Sequence, residues 1–91
     1  MKISYDPQKR AWTLEHRGLD FEHAGLVFEG PRYTVPDDRT DYGEPRLQTY
    51  GLLHDRLVTI VWTPRDNSRH IISMRKCNDR EKERFGRQLG S

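Results

Sequence analysis

Leu57-Val-Thr-Ile-Val-Trp-Thr63, then Pro64-Arg-Asp-Asn-Ser68, then Arg69-His-Ile-Ile-Ser-Met-Arg-Lys-Cys77 is the stretch on which the fold turns. Two runs rich in β-branched and aromatic residues flank a short polar segment, which is the strand, turn, strand pattern of an antiparallel hairpin. Strict alternation across the second strand sets His70, Ile72 and Met74 on one face and Arg69, Ile71, Ser73 and Arg75 on the other. One face is then core. The other carries guanidiniums, with Arg65 in the turn and Lys76 just past the strand, on a platform stiff enough to hold a phosphate.

Working outward, the rest of the chain is thin in apolar residues. Of its 91 residues, 33% are hydrophobic and 33% are charged, so a single domain over 1–91 must build its core from a few large side chains. Those expected inside are Trp12, Phe21, Phe28, Tyr50, Trp62 and one of Ile71 and Ile72. A lone Cys77 excludes an internal disulfide, and no cysteine pair has metal-ligand spacing. His16 and His23 fall in different predicted helices without an acidic or cysteine partner in register, so no metal and no cofactor are expected. The first residues lack the apolar segment of a signal peptide, and no run is long enough to span a membrane. A soluble cytoplasmic protein is the expectation.

Charge is unevenly distributed. Residues 1–45 hold six Lys and Arg against nine Asp and Glu, whereas residues 46–91 hold ten against five. That asymmetry suits an anionic partner bound by the second half, although an ordinary solvated surface has the same signature.

Local signals place the other elements. Lys2 to Tyr5 alternates and reads as a short strand. Asp6-Pro7 opens a helix by capping and by placing proline where its missing donor is harmless; Gly18 closes it after Arg17. Ala11, Trp12 and Leu14 are its expected inward stripe. Asp20 caps a second helix with Phe21, Ala24 and Phe28 on one face, which Gly30-Pro31 stops. Strands are expected at Arg32 to Val35 and Arg46 to Leu53, separated by a polar loop, Asp37 to Gly43. Asn78 and Glu81 form a capping-box variant ahead of a last helix to about Gln88, which has only Phe85 and Leu89 to dock it. The sum is an α+β domain of two layers, an N-terminal helix pair and a C-terminal helix around an antiparallel sheet of three to five strands, with one sheet face open.

In this order the residues resemble the BrnT family of bacterial type II toxins, the partners of BrnA antitoxins. The resemblance runs through nearly the whole chain: Asp6-Pro7-Gln8-Lys9, Gly18-Leu19-Asp20-Phe21 with Ala24, Gly43-Glu44-Pro45-Arg46, Gly51, and Arg69-His70-Ile71-Ile72-Ser73-Met74-Arg75-Lys76 leading into Glu81 to Phe85. Departures are Thr13 where the family usually has Asn, Arg17 where it has His, Cys77 for Ala and Phe85 for Tyr. The resemblance implies a RelE-like fold and RNA cleavage. It also implies a complex with a BrnA-type antitoxin, as a heterotetramer of two toxins and two antitoxins, and operator DNA contacted only through that antitoxin.

RNA can be cut without a metal when the ribose 2′-hydroxyl attacks the adjacent phosphorus. Charge on the pentacoordinate phosphorane must then be neutralised, and protons moved at the attacking and leaving oxygens. The candidate catalytic residues are Arg75 and Arg65 for the phosphorane, Lys9 for a phosphate or a proton, and Glu44 as base. Surface ion pairs with Glu44 or Asp66 are the ordinary alternative for both arginines. His70 is read as a packed histidine rather than a base, because it alternates with Ile72 and Met74. Arg46, Arg69, Lys76 and Tyr42 are the candidate RNA-binding residues, Tyr42 as a stacking platform. A binding module without chemistry, a degenerate toxin that holds RNA or a partner through the same edge, would use these residues too.

Overall fold

The computed structural model describes residues 2–89. A five-stranded sheet, β1 (Lys2–Tyr5), β2 (Arg32–Pro36), β3 (Leu47–Leu53), β4 (Arg56–Arg65) and β5 (Ser68–Lys76), has the order β1-β5-β4-β3-β2. Three of its pairings are antiparallel, but β1 runs parallel to β5, so the sheet is mixed rather than wholly antiparallel. Between β1 and β2 lie α1 (Pro7–Arg17), a 3-10 turn (Phe21–His23) and α2 (Ala24–Glu29); α3 (Asp79–Leu89) is the last element among the described residues. The expected second helix is therefore a 3-10 turn that passes into a short α-helix.

Capping explains the helix boundaries. Asp6 accepts from the Gln8 amide at 2.9 Å, and Gly18 closes α1 in the left-handed region at φ 69°, returning its N–H to the Leu14 carbonyl. Asn78 and Glu81 exchange side-chain to backbone hydrogen bonds, each 2.9 Å, as a reciprocal capping box. The central hairpin is longer than its composition suggests. Pro64 and Arg65 continue β4, and the turn is only Asp66-Asn67, with φ 45° and 63°, both positive as a two-residue turn between twisted strands demands.

Both faces of β4 are covered. Val58, Ile60 and Trp62 face α2 and pack with Phe21, Ala24, Val27, Phe28, Ile71 and Met74 in the main core. Leu57, one residue out of phase, joins Tyr50, Cys77, Phe85 and Leu89 in a second cluster under α3, where the Tyr50 and Phe85 rings stack at 4.2 Å. Thus α3 is docked more firmly than two apolar residues promised, and it covers part of the face expected to be open. Cys77 is buried there, and burial pushes its thiol pKa up.

The main departure from alternation lies in β5. Val61 pairs with Ser73 but Trp62 pairs with Ile71, so Ile72 is an extra residue and the strand carries a β-bulge. Each side chain before Ile72 is thereby on the opposite face from the one simple alternation gives. Arg69 and Ile71 face the main core, and the Arg69 guanidinium lies 4.1 Å from the Phe28 ring centroid. His70 faces the other way, beside Ser4 at 3.0 Å, and is half-buried rather than packed in the core.

Helix α1 is also rotated from expectation. Trp12 is 50% exposed, and Leu14 and Ala11 are exposed, while Thr13 is buried. The reason is the short β1, which pairs only as far as Ile71 and leaves the edge of β5 beyond it open. Polar residues Lys9, Thr13 and Arg17, at successive i, i+4 positions, line that edge, and Arg17 donates to the unpaired Met74 carbonyl at 3.0 Å. Arg10 on the neighbouring face clamps Asp20 at 2.7 and 2.9 Å, which holds the Asp20 carboxyl down to about 2.

One close approach is set by glycine. A Cβ at Gly51 on β3 would lie 2.6 Å from Cγ1 of buried Val27, whose β-branched side chain has no room to turn away. Gly51→Ala is expected to destabilise the protein by about 1–3 kcal/mol in urea unfolding. An unchanged midpoint would show that α2 does not press on β3 as described.

Candidate functional site

The sheet face away from α2 is a ladder of three rows. Arg46 leads into the row of Thr63, His70 and Ser4; Gln48, Val61 and Ser73 make the next; Tyr50, Thr59 and Arg75 the third, which borders α3. Successive rows are two residues apart on β4, or roughly 7 Å. A cavity of about 130 Å³ opens over the second and third rows. It is lined by Arg17 from α1, Arg39 from the loop before β3, and Gln48, Thr59, Val61, Ser73 and Arg75 from the sheet. It is roomy enough to admit several water-sized groups, such as the oxygens of a phosphoryl group. A second hollow of about 210 Å³, lined by Lys9, Trp12, Thr13, Arg17, Ile72 and Ser73, adjoins it through Arg17 and Ser73.

Carboxylates aim two of the three guanidiniums. Glu81 holds Arg75 through two hydrogen bonds, 2.7 and 2.8 Å, and buried Asp37 holds Arg39 at 2.7 and 2.9 Å. These pairings push the arginines further from deprotonation and pull both carboxyl groups below their ordinary range. A guanidinium has five donors and such a pair uses two, so each fork keeps donors for an anion. Arg75 remains 43% exposed. Its partner is Glu81, not Glu44 or Asp66.

The candidates named from sequence divide into three groups. Arg75 lines the small cavity, and Lys9 lines its neighbour. Arg65, Glu44, Arg46 and Tyr42 gather at the turn end of the sheet. Arg65 Nη2 lies 3.2 Å from Glu44, Arg46 Nε is 3.8 Å from the same carboxylate, and the Arg46 guanidinium sits 3.9 Å from the Tyr42 ring centroid. Glu44, shared by two guanidiniums, is poorly placed as a base, and the Tyr42 ring already carries the Arg46 guanidinium on one face. Arg65 and Arg75 lie six residues apart along β4, since Arg75 pairs with Thr59; at ~3.3 Å per residue that is roughly 20 Å, too far to clamp one phosphate. Arg69 and Lys76, the latter paired with Val58, belong to the opposite face.

Sequence reasoning missed Arg17, Arg39, Gln48 and Ser73. The polar Lys9, Thr13, Arg17 stripe was a legible signal for the first, but nothing local marks Arg39 in an acidic loop. His70 was set aside, and it stands one row from Ser73. Burial, with the charges of Arg65 and Lys9, lowers its pKa from the ordinary histidine value and so favours the neutral ring. A larger depression of about 440 Å³ lies between the β3–β4 turn and α3, lined by Asp55, Arg56, Leu57 and Lys82. Its charges are of mixed sign and converge on nothing.

The family model described as the ribonuclease toxin BrnT of a type II toxin-antitoxin system matches residues 5–81. The chain belongs to the BrnT ribonuclease toxin family. The match takes in Lys9, Arg17, Arg39, His70 and Arg75, so the cationic cavity lies wholly within the BrnT span. No curated protein matches the chain. A BrnT toxin acts on RNA and has a cognate antitoxin. Among the described residues, no helix is long and apolar enough to cross a membrane.

Proposed function

We propose that this BrnT toxin, as one domain over residues 1–91, is a metal-independent endoribonuclease that works on the face opposite α2. The observation that carries the reading is the convergence of Arg17, Arg39 and Arg75 on one cavity over Ser73. A scissile phosphate seated there meets fixed guanidinium donors on one side and the row holding His70, with Lys9 nearby, on the other. The ribose 2′-hydroxyl attacks phosphorus as neutral His70 takes its proton, the arginines neutralise the phosphorane, the bond from phosphorus to the 5′-oxygen breaks, and that oxygen takes a proton delivered through Lys9, leaving a cyclic phosphate and a free 5′-hydroxyl. Lys9 supplies a further positive charge beside the three guanidiniums. Arg65 and Arg46, with Glu44 between them, hold a flanking phosphate at the turn end of the sheet.

In the cell the toxin acts in the cytoplasm and slows translation and growth by cutting RNA. A BrnA-type antitoxin neutralises it in a complex of two toxins and two antitoxins, covering the cationic face with acidic or apolar side chains; operator DNA is bound only through the antitoxin.

The test is RNA cleavage in EDTA by toxin freed of antitoxin, with the product ends identified. Cyclic phosphate and 5′-hydroxyl ends are expected; RNA that binds and stays intact refutes the enzymatic reading in favour of a binding module. The pH profile checks the base. His70 acts as a base only when unprotonated, and burial lowers its pKa from the ordinary histidine value, so the rate should rise with pH along an acid limb lying below the ordinary histidine range and then level off. His70→Gln is expected to cost about a hundredfold, the low end for a general base because Lys9 also moves protons, and to abolish the acid limb. An unchanged acid limb in that variant would reassign the base.

A further inference from the structure

Trp12, like Tyr33, is a large aromatic that the fold leaves outside. It stands half exposed on α1 while Thr13 beside it is buried, so packing of this helix does not need an indole there. The ring is nevertheless held. His16 stacks on it with centroids 4.5 Å apart and planes 17° from parallel, and His16 is itself tied to the Trp12 carbonyl at 2.9 Å. The Arg17 guanidinium lies 5.2 Å from the same ring. Trp12 and Ile72 supply the apolar walls of the 210 Å³ hollow whose rim carries Lys9 and Arg17. That hollow shares Arg17 and Ser73 with the cavity assigned to the phosphate. A flat apolar wall beside cationic forks, one step from a phosphate, matches a nucleotide whose base has left its stack.

We propose that the Trp12 hollow is a base subsite, which takes one unpaired nucleobase of single-stranded RNA against the indole while Arg17 and Lys9 hold the phosphates beside it. The proposal rests on the ribonuclease reading above and adds to it a reason for substrate choice. A base inside a duplex cannot reach the hollow without unstacking, so single strands and loops are preferred to stems.

Trp62 is buried in the main core, so a change in tryptophan fluorescence on adding ligand reports mainly on Trp12. The probe is a 2′-O-methyl RNA hexamer, which lacks the attacking hydroxyl, with and without an abasic position walked along it. Wild type is expected to show quenching and to bind the complete hexamer more tightly than at least one abasic form. Trp12→Leu should bind the complete hexamer about 5- to 150-fold more weakly, and Trp12→Phe, which keeps a π face, should recover most of the loss. Trp12 is exposed, so both variants should keep the wild-type Tm. Wild type that cuts RNA while Trp12→Leu binds and cuts unchanged overturns the subsite alone. Unchanged RNA binding with a weakened antitoxin complex assigns the indole to the protein partner and also overturns it. Wild type that neither binds the hexamer nor cuts RNA removes both readings.

Discussion

Arg75→Ala is expected to slow RNA cleavage in EDTA by about 10²- to 10³-fold, the usual cost of removing one preorganised donor from a transition-state oxyanion. Arg75 is the sequence-named arginine that reaches the cavity, and Glu81 fixes its fork so that little reorganisation is needed during reaction. The same pair ties α3 to β5, so the substitution also has a structural cost. Arg75 is partly exposed, and solvent screening limits the pair to roughly 1 kcal/mol or less, or a Tm decrease of up to about 4–8 °C. Glu81 keeps its cap bond to the Asn78 amide and is not left wholly unpaired. Arg75→Ala with Glu81→Gln separates the two roles, because it removes the stranded carboxylate without restoring the donor. Full cleavage by either variant, with only a lowered Tm, would make Arg75 an anchor for α3 and no part of the chemistry.

Phe21→Ala should produce the largest loss of stability, about 3–5 kcal/mol by urea unfolding. Phe21 is fully buried at the start of the 3-10 turn, meets the Tyr5 ring edge-on at 5.9 Å, and joins β1 to α2 through the main core. Small domains have only ~5–15 kcal/mol in total, so a large part of the population would unfold on mild heating. A loss under about 1 kcal/mol would mean that the core closes over the cavity. The junction between α1 and α2 would then be looser than its burial indicates.

Features that rest on neighbours in the chain were legible in advance. The Asp6-Pro7 and Gly18 boundaries of α1, the Asn78 and Glu81 box, and the five strands follow from capping chemistry and β-branched runs, which act within a few residues. The main core was legible for Phe21, Phe28 and Trp62 because large apolar side chains in strong periodic patterns have few other places to go, whereas which of Ile71 and Ile72 turns inward stayed open until the structure chose Ile71. Trp12 failed by the same logic: its size suggested burial, but the helix face is chosen by what the sheet edge offers, and the edge beyond β1 offers an unpaired Met74 carbonyl.

The site was legible only as a list of charges. Arg75 and Arg69 are an even number of residues apart and would share a face by simple alternation, but the bulge at Ile72 inserts one residue between them and sends them to opposite sides of the sheet. Nothing in Ile71-Ile72 announces that bulge, since two adjacent isoleucines suit either face.

By itself, then, the sequence determined the kinds of element, their order and the BrnT family, because capping, hydrophobic period and motif spacing are local or ordered along the chain. Only the tertiary structure decided which cations meet. Arg17, Arg39 and Arg75 come from a helix end, a loop and a strand and converge where β1 stops short, α3 leaves the sheet uncovered and the bulge resets the phase of β5. Such convergence depends on packing between distant segments, where one inserted residue or a quarter-turn of a helix changes every partner.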